Sequence, residues 1–333
     1  MAMWFANGKY VLSRILHGIP IIIAIVVVNF FLIRLAPGDA AQVLAGEAGS
    51  ATEEYMAQIR AQFGLDQPLW VQFINYMKNL LVFDLGYSFR HGREISSLIF
   101  ERLGATALLM FTSMILSISF GILLGAIAAI RDRTYVSYVI MILAIITYAT
   151  PLFWVGLMLI ILFSLNLGWF PTSGYETIGT SLTGFRYILD VAHHLVLPAI
   201  ALSFFYMALY TRLMRASMLE TLGQDFIKTA RAKGLSNSHI VMHHALRNAI
   251  IPVVTMAGVQ VSAMLGGSVI IESVFGWPGL GLLAYEALFA RDLNLLLGIF
   301  FLSSILVVIT NALVDVIYTL IDPRIRLTGG RHG

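Results

Sequence analysis

The chain has 333 residues, 59% of them hydrophobic and 12% charged, with 21 Lys plus Arg, 18 Asp plus Glu and no cysteine. A soluble domain carries about 25% charged and about 45–50% apolar residues, so a water-soluble globule, a disordered chain and a disulfide scaffold are all excluded. With a mean hydropathy of +0.85 the class is integral membrane protein, and the missing cysteines rule out thiolate metal sites.

Residues 15–33 lie between Arg14 and Arg34 without a formal charge and include a β-branched run from Ile21 to Val28. At about 1.5 Å per residue they nearly match a ~30 Å hydrocarbon core and read as span one. A secretory signal would have an apolar region of about 7–15 residues ending at a small-residue cleavage site, so a retained helix is expected. Residues 36–102 form the largest hydrophilic segment. Thr52, Glu53 and Glu54 read there as a helix start, and Leu69, Trp70, Phe73, Tyr76, Met77 and Leu80 recur at helical spacing. The segment is expected to be a small helical insertion outside the membrane.

Further spans are predicted over residues 104–130, 135–167, about 194–211, about 249–271 and about 293–320, which makes six. Thr150-Pro151 disfavours helix midway through the third. Two full crossings do not fit between 135 and 167, so one kinked span is preferred to two re-entrant halves. The chain then divides into an N-terminal transmembrane helix (1–35), the insertion (36–102), a transmembrane core (103–322) with a long loop at 212–248, and a tail (323–333).

Placing the N-terminus in the cytoplasm puts thirteen basic residues on that side and eight on the other. The basic excess favours this orientation, with both termini cytoplasmic. The net charge of +3 is thus a topology signal whose natural partner is anionic lipid rather than nucleic acid.

Catalytic patterns are absent from the sequence. There is no H-E-x-x-H or G-x-S-x-G, and Gly8-Lys9 lacks the spacing and the following Ser or Thr of a phosphate-binding loop. His193-His194 and His243-His244 are adjacent pairs whose side chains diverge by about 100° on a helix, so they read as packing residues and no metal site is expected. Asp315 is the one acid read as lying clearly within a span. A hydrogen bond to Asn311 or to a neighbouring helix is its preferred role over proton transfer.

The informative stretch is 211–255. It reads as two amphipathic helices, 216–233 and 238–248, broken at Gly234, where a missing Cβ permits a sharp reversal. Ser236 or Asn237 can cap the second helix. Ala230, Ala232 and Gly234 leave a shallow face suited to a docking partner, and the rival reading is a basic helix lying on lipid headgroups.

Thr229-Ala230-Arg231-Ala232-Lys233-Gly234-Leu235, followed by His244 to Asn248 and Pro252, resembles the cytoplasmic coupling loop of ABC-importer permeases of the dipeptide, oligopeptide and nickel branch. The likeness runs nearly end to end. It takes in Pro37-Gly38-Asp39, Phe63-Gly64-Leu65-Asp66, Asp84-Leu85-Gly86, Trp169-Phe170-Pro171, Leu197-Pro198-Ala199, Glu272 to Phe275 with Pro278 to Gly281, and Asp322 to Arg326. Thr229 and Arg231 depart from the general importer pattern, which has Glu and Ala there, as the peptide branch does.

The resemblance implies an all-α polytopic protein of six transmembrane helices with the type I ABC importer permease fold and an extracytoplasmic helical insertion between spans one and two. It implies a non-catalytic subunit in the inner membrane that moves short peptides or a related solute. ATP and Mg would be used by two cytoplasmic ATPase subunits, alongside a second homologous permease and an extracytoplasmic substrate-binding protein. Coupling is expected at Asp225 and Thr229 to Leu235, that is Thr229, Ala230, Arg231, Ala232, Lys233, Gly234 and Leu235. The five-helix core over 104–320 would carry the path, with span one peripheral. Met256, Gln260 and Met264 on span five are candidates to line that path, Gln260 first because a polar group in hydrocarbon needs water or a partner. A secondary transporter or channel would need several intramembrane ionisable groups or an inverted repeat. A membrane enzyme would need paired acids, bases or nucleophiles. The sequence supplies neither set.

Overall fold

A computed structural model describes residues 18–31, 53–62, 64, 66–88 and 90–321. Pro37-Gly38-Asp39, Phe63, Leu65 and the Asp322 to Arg326 motif lie outside them, as does the side chain of Asp315. In chain order the helices are α1 (Gly18–Phe31), α2 (Glu53–Gln62), α3 (Leu69–Leu81), α4 (Ile95–Ile130), α5 (Tyr135–Ala149), α6 (Leu152–Asn166), α7 (Phe185–Leu222), α8 (Asp225–Ala232), α9 (Asn237–Phe275), α10 (Leu280–Phe289) and α11 (Leu293–Ile321). A two-stranded antiparallel hairpin, β1 (Tyr87–Ser88) and β2 (Arg93–Glu94), precedes α4, with Tyr87 opposite Glu94.

Four helices among the described residues, α4, α7, α9 and α11, are long and apolar enough to cross a membrane, and α5 with α6 makes a fifth if counted as one span. The described part of span one, α1, is shorter, so the expected count of six stands at four or five here. At Thr150-Pro151 the chain turns through 105°, far more than a kink. Thr150 is extended (ψ 131°), as the residue before a proline should be, and the two arms meet near a right angle. α6 closes with a π-helical stretch, Ile160–Asn166. α7 has 38 residues, about 57 Å of helix, so its ends reach well beyond a ~30 Å core.

The chain forms two compact units, one of residues up to Gly104 with Leu282–Ile309, the other of Ala105–Gly281 with residues from Thr310 on. In the first, the apolar face predicted for α3 is covered only in part: Leu80 is buried and Phe73, Tyr76 and Met77 are half-buried, while Leu69 (53% exposed) and Trp70 (66%) point outward. Phe30 stacks on Tyr76 (ring centroids 5.5 Å apart) and meets Phe73 edge-on, while Leu80, Val26 and Phe301 form a small core. Asp292 caps α11 by accepting from Leu295 N (3.1 Å), and its other oxygen accepts from Ser88 Oγ, which ties β1 to the head of that helix.

In the second unit α7 is the central helix, packed against α9 and α5. Leu197, Leu202, Tyr210, Met214 and Met218 are fully buried along it. α4 approaches it through Gly121 and Gly125. A Cβ at Gly121 would lie 2.5 Å from Tyr210 Cβ, and one at Gly125 would lie 2.5 Å from the Thr211 carbonyl oxygen, so only glycine fits either place.

Candidate functional site

The segment between α7 and α9 is built by local signals. α7 ends at Leu222, where Gly223 N donates to the Glu220 carbonyl (3.1 Å), and Gln224 turns extended before α8. The predicted helix over 216–233 is therefore the end of α7 plus a separate short α8, because the Gly223-Gln224 pair breaks it. α8 carries Asp225 in its first turn and Arg231 in its last, each on the favourable end of the helix dipole.

α8 stops in a Schellman motif. Leu235 N donates to the Ala230 carbonyl (3.3 Å) and Gly234 N to that of Arg231 (2.9 Å), with Gly234 at φ +77°. The glycine reversal expected at Gly234 is thus present. Ser236 then caps α9, its Oγ accepting from His239 N (3.3 Å). The second helix expected over 238–248 is not separate. It passes through a π-helical turn, Ile240–Ala245, and continues as the membrane helix α9.

Burial divides α8 into two faces. Ile227 (0% exposed) and Ala230 (6%) pack into the core around α7 and α9. Asp225, Phe226, Lys228, Thr229, Arg231, Ala232, Lys233, Gly234 and Leu235 are exposed. The expectation that Ala230 and Ala232 together open a face to a partner needs correction. Ala230 seats α8 on its own bundle, and only Ala232 is left outward. Lys228 pairs with Asp225 across one turn (2.7 Å) on the solvent side.

Along α9, Met256 and Gln260 are half-buried and adjacent, with Gln260 Nε2 3.9 Å from Met256 Sδ. Met264 is 2% exposed in the core of the unit, so it offers no surface to a path. Ser262 donates to Asn311 Oδ1 (2.9 Å).

The acid that sequence reasoning passed over is Glu272. It lies in the last turn of α9 with no exposure, so Asp315 is not alone as a helical acid. Thr106 Oγ1 donates to Glu272 Oε1 (2.8 Å) and accepts from Leu280 N (2.7 Å). Trp277, also fully buried, donates through Nε1 to the Ala105 carbonyl and through its backbone N to that of Glu272. Gly276 adopts the left-handed conformation that ends α9, and Gly279 and Gly281 lie so close to Glu272 that a Cβ on either would overlap its side chain. The Glu272 to Gly281 motif is therefore one folded corner. Its signal was the pair of glycines within reach of a carboxylate at a helix end.

Nearby, Thr177 N and Oγ1 both donate to Asp190 (2.7 Å each), His194 Nδ1 lies 2.9 Å from the Asp190 carbonyl, and His193 Nε2 lies 2.8 Å from that of Trp169. His193 thus holds the loop preceding α7, whereas His194 bonds back to its own helix one turn away. Among the described residues no three His, Asp or Glu side chains converge as metal ligands.

Several helices of membrane-spanning length, with the short helix α8 seated on α7 and α9, are the frame of a multi-pass membrane protein. Residues 121–327 match the family described as the binding-protein-dependent transport system inner membrane component, and residues 8–110 match its N-terminal membrane-component family; the chain belongs to this family. Among its relatives are the oligopeptide transport system permease protein AppB of Bacillus subtilis strain 168 (39% identical, covering 96% of this chain and 99% of that protein) and the dipeptide transport system permease protein DppB of Escherichia coli K12 (36%, 96% and 98%). A putative peptide permease of Brucella suis biovar 1 is 39% identical over 96% of this chain and 99% of its own length. In solved structures, a chain of the MetNI methionine ABC transporter in an inward-facing conformation shares the fold at a TM-score of 0.54 and 17% identity, over 68% of this chain and 97% of that one. The family implies ATPase and substrate-binding partners, and the protein is a multi-pass membrane permease.

Proposed function

We propose that this chain is one of two permease subunits of an ATP-driven importer of short peptides. It catalyses no reaction itself, and two cytoplasmic ATPases supply the ATP and Mg chemistry. Both termini face the cytoplasm, and residues 36–102 face outward toward a substrate-binding protein. The observation that carries this reading is α8, a rigid eight-residue helix seated on the bundle by Ile227 and Ala230 while its opposite face stays exposed. Such an element can transmit a push from an ATPase to α7 and α9, between which it is inserted. The names of AppB and DppB, an oligopeptide and a dipeptide permease, support a peptide cargo. The five-helix core carries the path with span one outside it, and Gln260 with Met256 are its candidate lining on α9.

The test is reconstitution in proteoliposomes with the partner ATPases, second permease and binding protein. The expected result is uptake of labelled di- or tripeptide that requires ATP and the binding protein. Because the chain has no cysteine, single cysteines at Ala232 and Thr177 can be introduced without background. Ala232→Cys should cross-link to an ATPase, and Thr177→Cys should react with an impermeant maleimide from outside. Uptake without any ATPase, or the reverse labelling, would overturn the reading.

A further inference from the structure

The first compact unit holds a cavity of about 410 Å³, within the range of small-ligand sites. Its lining is chemically specific. Five residues with amide side chains line it, Gln67, Gln72, Asn75, Asn79 and Asn294, together with one acid, Asp84. Apolar walls come from Phe30, Tyr76, Leu85 and Leu297. The site stands between the end of α1, α3 and the head of α11.

The arrangement is held in place by the chain itself. Gln72 Nε2 donates to the Gln67 carbonyl (2.7 Å) and Asn75 Nδ2 to Gln67 Oε1 (3.5 Å), so one wall is cross-braced. Asp84 is fixed by its backbone N donating to the Asn79 carbonyl (2.9 Å) and by its Oδ1 accepting from Gly86 N (2.9 Å). Phe30 is 1% exposed and stacked on Tyr76, which makes the floor rigid. Burial raises the Tyr76 phenol above its ordinary range, so it stays neutral at any physiological pH. Asn75, Asn79 and Asn294 are exposed, which leaves the rim open to solvent.

An amide side chain presents one acceptor and two donors in a plane, the complement of a peptide group. Five of them around one carboxylate suit a ligand with several peptide groups and one ammonium. We infer that this cavity is a second recognition site, outside the membrane, for a short extended peptide segment whose amino group pairs with Asp84 and whose peptide groups meet the Asn and Gln amides. The inference rests on the reading that residues 36–102 face outward. The occupant is a free short peptide arriving for transport, since an internal stretch of a protein has no α-amino group to offer Asp84.

The experiment uses the assembled complex in lipid nanodiscs, with tri-alanine, N-acetyl-tri-alanine and maltose as probes for calorimetry, and with the ligand-free binding protein as a fourth. Asp84→Asn keeps an acceptor for Gly86 N while removing the charge, and Asn79→Leu removes an exposed amide; melting curves check that both fold. Tri-alanine is expected to bind, and N-acetylation or either variant to weaken it at least tenfold. Failure of tri-alanine to bind, with both variants weakening capture of the binding protein at least fivefold, would assign the cavity to that partner and overturn the inference. Unchanged affinities for both probes, or maltose binding more tightly than tri-alanine, would overturn the inference. ATP-driven uptake by the unaltered complex, measured in parallel, separates that failure from a failure of the permease reading.

Discussion

Thr106 and Glu272, 166 positions apart in the chain, share a 2.8 Å hydrogen bond in which a hydroxyl donates to a carboxyl group with no solvent exposure. The same oxygen accepts from Leu280 N, so one threonine serves both the end of α9 and the start of α10. Removing it deprives a buried acid of a donor and a buried N–H of its acceptor. Thr106→Val should therefore cost about 1–3 kcal/mol, read as a fall in the thermal midpoint in detergent. Thr106→Ser keeps the hydroxyl and should recover most of the loss. A valine variant melting with the wild type would refute this account of the corner.

The crossing of α4 and α7 depends on Gly121 and Gly125, where any Cβ meets side-chain or backbone atoms of Tyr210, Thr211 or Met214. Alanine at either position should overpack the contact by about 1–3 kcal/mol. Gly104, in the same helix, is the control, because a methyl group there would meet no neighbouring atom within 4 Å. Gly104→Ala should gain up to about 1 kcal/mol from helix propensity alone. Thermal melts of the three variants decide it, and equal responses would mean that close packing is not what selects the glycines.

Gly234 has open space around it, so the cost of a side chain there is backbone strain and not collision. Placing Val at φ +77° should cost roughly 1–3 kcal/mol. We expect Gly234→Val to lower peptide uptake while ATP hydrolysis by the assembled complex continues, because the stop that orients α8 is lost. Gly234→Asn, which tolerates the left-handed region better, should fall between the two. Loss of hydrolysis and uptake in equal proportion would argue for failed assembly instead.

Arg215 on α7 reaches Asp132 in the α4–α5 turn, Nη2 to Oδ1 2.7 Å, and its Nε donates to Ser137. Both ionic side chains are about a third exposed (28% and 34%), so solvent screens the pair. A double-mutant cycle with Arg215→Ala and Asp132→Ala should return a coupling of about 0.3–1 kcal/mol that shrinks at high salt. A coupling that ignores salt would show that packing, not charge, joins the turn to α7.

Local physics made part of this protein legible in the sequence. Charge-free length marks the apolar helices because backbone polar groups in lipid must be satisfied within a helix. The reversal at Gly234, the cap at Ser236 and the covered part of the α3 face, Phe73 to Leu80, follow likewise from residue-level conformational and amphipathic preferences. The motifs from Thr229 to Leu235 pointed to a permease only by their resemblance to the family; their spacing alone encodes a helix, a stop and a restart.

What only the tertiary structure decided concerns which face meets which neighbour. Ala230 looks as available as Ala232 in sequence, yet it is buried because α8 rests on the α7–α9 core through Ile227. Residues 238–248 look amphipathic alone, but their apolar side continues into a membrane helix and the break expected after them never occurs. Glu272 falls just past the span predicted at about 249–271, and its burial is decided by Thr106, 166 positions away, together with the nearby Gly279 and Gly281. Spacing along one helix fixes which residues share a face; the partner that covers the face is chosen by contacts far away in the chain, and no local pattern carries them.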